Sequence, residues 1–208
     1  MHTLIIQESR IVYADPQSFD ATGTRIYNAF DPRITTANAT AVTVDALPPD
    51  FRPWQWTWDG EKPVIKPECH DAWLGGIKDR KLKEIDAETS AAILAGFTCE
   101  ATPPDTGQPE LLHFSYDEFD QQNFSDAALS MQLAAAASGA IPTSTPWNAY
   151  RNHTADSKGE LVILNLTAET FLPIYAAALN HKATQMAIGG QRKAAVAAAQ
   201  TVEEVEAI

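Results

Sequence analysis

The chain has 208 residues, 45% of them apolar and 20% charged, the balance of a folded protein with room for one large domain or two small ones. Its 27 acidic side chains outnumber 15 basic ones, and the net charge of −12 argues against nucleic acid or an anionic membrane surface as partner. There is no apolar run of about eighteen residues, and the start, MHTLIIQESR, has no basic stretch leading an apolar one, so neither a membrane span nor a secretion leader is expected.

The first seventy residues read as strands and turns. TLIIQESRIVYA supplies one or two strands, TRIYNAF another, and ATAVTVDAL alternates Val42 and Val44 against Thr43 and Asp45. Seven of the thirteen prolines lie here, at Pro16, Pro32, Pro48, Pro49, Pro53, Pro63 and Pro67, and no amphipathic helix fits through them. In PWQWTWDG the alternation of a strand puts Trp54, Trp56 and Trp58 on one face, and Asp59-Gly60 signals a type I′ hairpin turn. The returning strand, Glu61 to Lys66, holds Pro63 and precedes Pro67, which confines it to a sheet edge. A two-stranded ribbon is marginal alone, so the indole face must lie on a sugar, on the rest of the chain, or on another chain. With thin apolar content elsewhere, residues 1–70 are expected to form a β-rich, proline-rich docking region that leans on partners.

KPECHDAWLGG reads as a joint, and residues 71–208 as an α+β domain of helices and two β-hairpins. Ile77, Leu82, Ile85, Thr89, Ala92 and Ile93 recur at helical spacing in a helix from Ile77 to Ala95 that Gly96 stops. A hairpin then pairs Phe97–Ala101 with Leu111–Tyr116. Ser115 and Glu118 have the spacing of a capping box, opening a helix to about Ala137 that ends at Ser138-Gly139. TPWNAYRN and ELVILNL make the second hairpin, Thr167 caps a third helix, QRKAAVAAAQ gives a short separate one, and Thr201 with Glu204 makes another capping box. Residues 1–70 carry six basic and nine acidic side chains, and residues 71–208 carry nine and eighteen, so the acidity is concentrated on the helical part.

Catalysis needs a base, a nucleophile or a metal held at fixed spacing. Glu68, Cys69, His70 and Asp71 are the most tempting cluster, but neighbours along a chain point apart and the joint offers no rigid support. His113 and His153 would meet only if the two hairpins share one sheet. Gly75-Gly76 and Gly189-Gly190 lack the lysine of a phosphate loop, and no Gly-x-Ser-x-Gly elbow occurs. Cys69 and Cys99 have no metal or redox spacing and are expected as unpaired thiols. No catalytic residue, metal or cofactor is therefore expected, and the protein is read as a non-enzyme. In DEFDQQNF and just before it, Tyr116, Phe119 and Phe124 flank a run of amides and carboxylates; the aromatics either enter the core or form part of a recognition surface.

IKDRKLKEIDAETSAAILAGF, LLHFSYDEFDQQNFSDA, WNAY, LTAETFLPIYAAALNHK and AAQTVEEV together resemble a domain of unknown function found in tail and tail-fibre proteins of bacteriophages and prophages, over about residues 77–206. The front part, with WQWTWDG, is similar to leading segments of tail-fibre-associated proteins. The resemblance brings no catalytic residues. It implies a tail structural protein at the fibre or baseplate, made in the host cytoplasm and located in the virion tail, with other tail proteins as partners and a homotrimer as its state. A fibre-assembly chaperone that leaves the particle is the alternative, and a carbohydrate-binding receptor module a further one. The interface residues expected on this reading are Trp54, Trp56, Trp58, Tyr116, Phe119 and Phe124.

Overall fold

Three consecutive buried residues, Leu4, Ile5 and Ile6, organise the first sheet. In the computed structural model, which describes residues 1–15, 34–35, 37–136 and 144–208, they lie in β1 (His2–Gln7). Leu4 and Ile6 pack with Ile11 and Trp56, whereas Ile5 packs with Ile34, so the strand is covered on both sides and needs no polar alternation. β2 (Arg10–Ala14) and β3 (Thr40–Val44) flank it. β2 adjoins β4 (Trp56–Trp58) at Arg10 opposite Thr57, and β4 adjoins β5 (Pro63–Ile65), giving an antiparallel sheet in the order β3-β1-β2-β4-β5. Glu8 and Ser9 join β1 to β2 with φ of 49° and 64°, the two positive values of a type I′ turn, at residues with no glycine to announce it. The strand expected at TRIYNAF lies outside the described residues.

Helix α1 (Pro67–Leu94) starts about three turns before the expected Ile77. The stretch read as a joint is its first part: Pro67 occupies a helix start, where a missing N–H costs nothing, and Glu68 suits the first turn. Contacts divide the chain into two units, residues 1–81 with 199–207, and residues 82–198 with 208, so the division falls inside α1 rather than at 70/71.

The second unit is a sheet covered by helices. β6 (Phe97–Ala101), β7 (Glu110–Phe114), β8 (Ser144–Arg151) and β9 (Glu160–Thr167) pair antiparallel in chain order. Phe97, Leu112, Phe114, Ala149, Val162, Leu164 and Leu166 fill one face, against Phe124 of α2 (Glu118–Ala136) and Phe171, Ile174 and Ala178 of α3 (Ala168–Ala198). α2 is capped by Asp117 rather than Ser115: the Asp120 N–H donates to Asp117 Oδ1 at 2.8 Å, because the chain is still leaving β7 at Ser115 and is anchored by buried Tyr116. Its expected end at Ser138-Gly139 lies outside the described residues. α3 runs through Gly189-Gly190 without a break, so the separate helix expected at QRKAAVAAAQ is its last part. A Cβ on Gly189 would lie 2.4 Å from Thr89 Oγ1, so this glycine lets α1 and α3 approach within the second unit. α4 (Val202–Glu206) carries the capping box of Thr201 and Glu204. Antiparallel sheets with helices beside them make the fold α+β.

Candidate interaction surface

The helix-free face of the second sheet is built by strict alternation. β9 reads exposed–buried from Leu161 to Thr167, with Val162, Leu164 and Leu166 turned to the core. On the other face Leu161 and Ile163 are 51% and 58% exposed, and Leu111 of β7 is 69% exposed. Register places Thr98, His113, Tyr150 and Leu161 in one row across all four strands. Leu111 is two residues from His113 along β7 and Ile163 two from Leu161 along β9, on opposite sides of that row, with His113 and Tyr150 between β7 and β9 and Glu100 opposite Leu111. Three large apolar side chains thus remain in solvent on this face.

Two features stiffen it. His113 and His153 stack with ring centres 3.6 Å apart and planes 8° from parallel, so the two hairpins do share a sheet and bring these histidines together. Burial first, and then the neighbouring His153 and His181, hold His113 below its ordinary value of 6.5 and favour the neutral ring. At the end of the same strands the Arg151 guanidinium meets Asp105 through both terminal nitrogens at 2.8 and 2.9 Å, Glu110 at 2.5 Å and Glu160 at 3.4 Å. This fork fastens the β6–β7 loop to β8 and β9, and its bonds to Asp105 and Glu110 keep both carboxyls below their ordinary range.

A groove of about 1020 Å³ lies between α2 and β8, lined by Asp117, Asp120, Asn123, Asp126, Trp147 and Tyr150 among others. Two of these side chains are engaged locally: Asp117 caps α2, and Asp126 accepts from Gln122 at 2.8 Å. Gln121 donates to the Tyr116 carbonyl and accepts from Lys182 at 2.7 Å. Among the described residues β8 meets β7 at Tyr150 opposite His113, and no strand pairs with Ser144–Asn148 on that side. Pro146, which has no N–H to give, is tolerated at such an edge.

Of the six interface residues expected from the sequence, Trp54 and Phe119 are 64% and 79% exposed. Trp56, Tyr116 and Phe124 are enclosed by their own chain, at 4%, 3% and 0%. The tryptophans do not share a strand face, because Trp54 belongs to a 3-10 turn, Pro53–Gln55, that precedes β4. Trp56 packs edge-on to Trp73 of α1 at 5.0 Å and tilts against Phe51 at 5.5 Å, while Trp58 is half-buried beside the same cluster. Trp73, whose indole N–H donates to the Pro49 carbonyl at 2.7 Å, escaped the sequence reading because it sat in the presumed joint. The Asp59-Gly60 turn is not the expected type I′: Gly60 has φ +112°, Asp59 is not in the left-handed region, and the Asp59 carboxylate accepts from the Glu61 and Lys62 N–H groups. Tyr116 and Phe124 belong to an aromatic cluster with Phe97, Trp147 and Phe171.

Glu68, Cys69, His70 and Asp71 lie on the first turns of α1, where His70 bonds the solvent-facing Asp71 at 3.1 Å. Among the described residues no three His, Cys, Asp or Glu side chains converge as a metal site. Cys69 and Cys99 are free thiols, and burial pushes that of Cys99 up to about 11. No helix among the described residues is long and apolar enough to cross a membrane.

Fold and surface thus define an α+β protein whose second sheet keeps Leu111, Leu161 and Ile163 exposed on the face away from its core. The chain belongs to the family described as Domain of unknown function (DUF4376), which matches residues 76–208. No curated protein and no solved structure matches it.

Proposed function

We propose that the protein is a structural component of a bacteriophage or prophage-derived tail, associated with the fibre or baseplate, that acts by binding other tail proteins and further copies of itself. The tail setting rests on the sequence resemblance. The observation that supports binding as its task is the open sheet face, where Leu111, Leu161 and Ile163 stay in solvent beside a filled core. Sugar binding is less well supported, because Trp54 presents its ring alone while Trp56 is buried. The test is mass spectrometry of purified intact particles, with copy number scaled to the major tail protein. Stoichiometric presence is expected; absence from particles together with abundance in the lysate would replace this reading with that of an assembly chaperone.

A further inference from the structure

From Leu172 to Gly190 the solvent side of α3 carries no charge, exposed Glu169 lying one turn before it, in a chain whose net charge is −12. Between Glu169 and the helix end its charged residues are Lys182, Arg192 and Lys193. All three are half-buried and turned to their own unit, Lys182 to Gln121, Arg192 to Glu88 and Lys193 to Asp86. A surface helix normally carries its charges on the face opposite the core. Here that face presents Leu172, Ala176, Leu179, Ala183, Met186 and Gly190, all exposed, with Leu172 and Met186 at 58% and Leu179 at 47%. Their spacing alternates four and three residues, the repeat of a helix–helix seam.

We propose that this face of α3 pairs with the same face of a second copy, antiparallel, about a two-fold axis at position 181. Large and small residues alternate along the seam. Parallel pairing would set leucine on leucine and alanine on alanine, demanding a different helix separation in each successive layer. Antiparallel pairing sets Leu172 on Gly190, Ala176 on Met186 and Leu179 on Ala183, so every layer holds one large and one small group and the helices close evenly. The three pairs share one centre, as a two-fold interface requires.

Gly190 supplies an independent argument. Glycine weakens a helix interior, and a Cβ placed there meets nothing in its own chain within 4 Å, whereas neighbouring Gly189 is explained by Thr89. Leu172 of a second copy fills that space. Electrostatics point the same way: two chains of −12 repel, and a face without charge lets them meet at least cost. The pairing deepens the protein-binding reading by naming the surface a second copy uses, and it does not depend on the tail setting.

The test is sedimentation equilibrium on the full chain up to about 100 µM, with Leu179→Glu and Ala183→Glu as separate variants. Both positions are exposed, so an unchanged far-ultraviolet dichroism spectrum is expected from each. Wild type should sediment at twice the chain mass and both variants at the chain mass. Orientation is read by spin labels on Leu172→Cys in a Cys69→Ser, Cys99→Ser background. The eighteen residues from 172 to 190 separate the labels by about 27 Å in the antiparallel pair, against roughly 10 Å in a parallel one. A monomeric wild type, a trimer, a dimer that survives both charged variants, or the short distance would each overturn the proposal. Failure here leaves the particle measurement standing, since tail incorporation does not require this seam.

Discussion

Gly189 and Gly190 are chemically identical neighbours in α3, and the structure assigns opposite consequences to replacing them by alanine. Alanine is worth about 1 kcal/mol more than glycine in a helix interior, so each substitution starts with that gain. At 190 nothing within 4 Å opposes the new methyl, and Gly190→Ala should stabilise the isolated chain by up to about 1 kcal/mol. At 189 the methyl would lie 2.4 Å from Thr89 Oγ1, 3.2 Å from its Cγ2 and 3.3 Å from its Cβ. Threonine branches at Cβ, so rotation swaps one obstruction for another and the helices must part instead. Overpacking of this kind costs about 1–3 kcal/mol, which leaves Gly189→Ala net destabilising by about 1 kcal/mol. The two variants should therefore differ by about 2 kcal/mol, or roughly 4–8 °C in Tm for a chain of this size. Thermal melts followed at 222 nm in dilute protein measure the gap. Adding Thr89→Ala to Gly189→Ala should recover much of the loss in a double-mutant cycle. Equal shifts for the two glycine variants, or no recovery with Thr89→Ala, would refute the close approach of α1 and α3 at this point.

Trp56→Ala should cost about 3–5 kcal/mol by emptying the first unit's core, while Trp54→Ala should stay within about 0.5 kcal/mol, both read by urea denaturation. Trp56→Phe should cost much less than Trp56→Ala, since it keeps a ring against Trp73 and Phe51 and removes the buried indole N–H that has no partner. His113 is held below 6.5, so as pH falls the unfolded chain takes up the proton first. Stability therefore declines as pH drops through 6.5 and levels off below the folded-state value, and His113→Gln should flatten the Tm profile between about pH 7.5 and 5.5.

Local chemistry in the sequence carried a long way where it acted alone. The strands at Thr40–Val44 and Glu160–Thr167, the Thr201–Glu204 box and the α+β class all follow from alternation and capping. Reading stopped where long-range packing decides. Pro67 is as good at opening a helix as at ending a strand, and the choice depends on Trp73, one helix turn and more downstream, reaching back to Pro49 and Trp56. Gly189-Gly190 looks like a stop until Thr89 is seen against it. The aromatics of the expected interface carried an unresolved alternative, core or surface, because burial is a property of the partner elements and not of the ring. Leu111, Leu161 and Ile163 were hidden for the converse reason: an exposed leucine in a strand reads the same as a buried one until the helices choose a face.

Residues 199–207 group with residues 1–81, and the Arg80 guanidinium meets Glu206 at 2.5 Å and Asp50 at 3.7 Å. The consequence lies in biosynthesis. The sheet of the second unit pairs strands in the order they are made and can close while translation continues, since local pairings form fastest. The first unit, begun before the second, must instead wait until residues 199–207 have cleared the ribosome. A chain cut short by premature termination would so keep its first unit unfinished, and that exposed remnant is a natural signal for proteolytic removal.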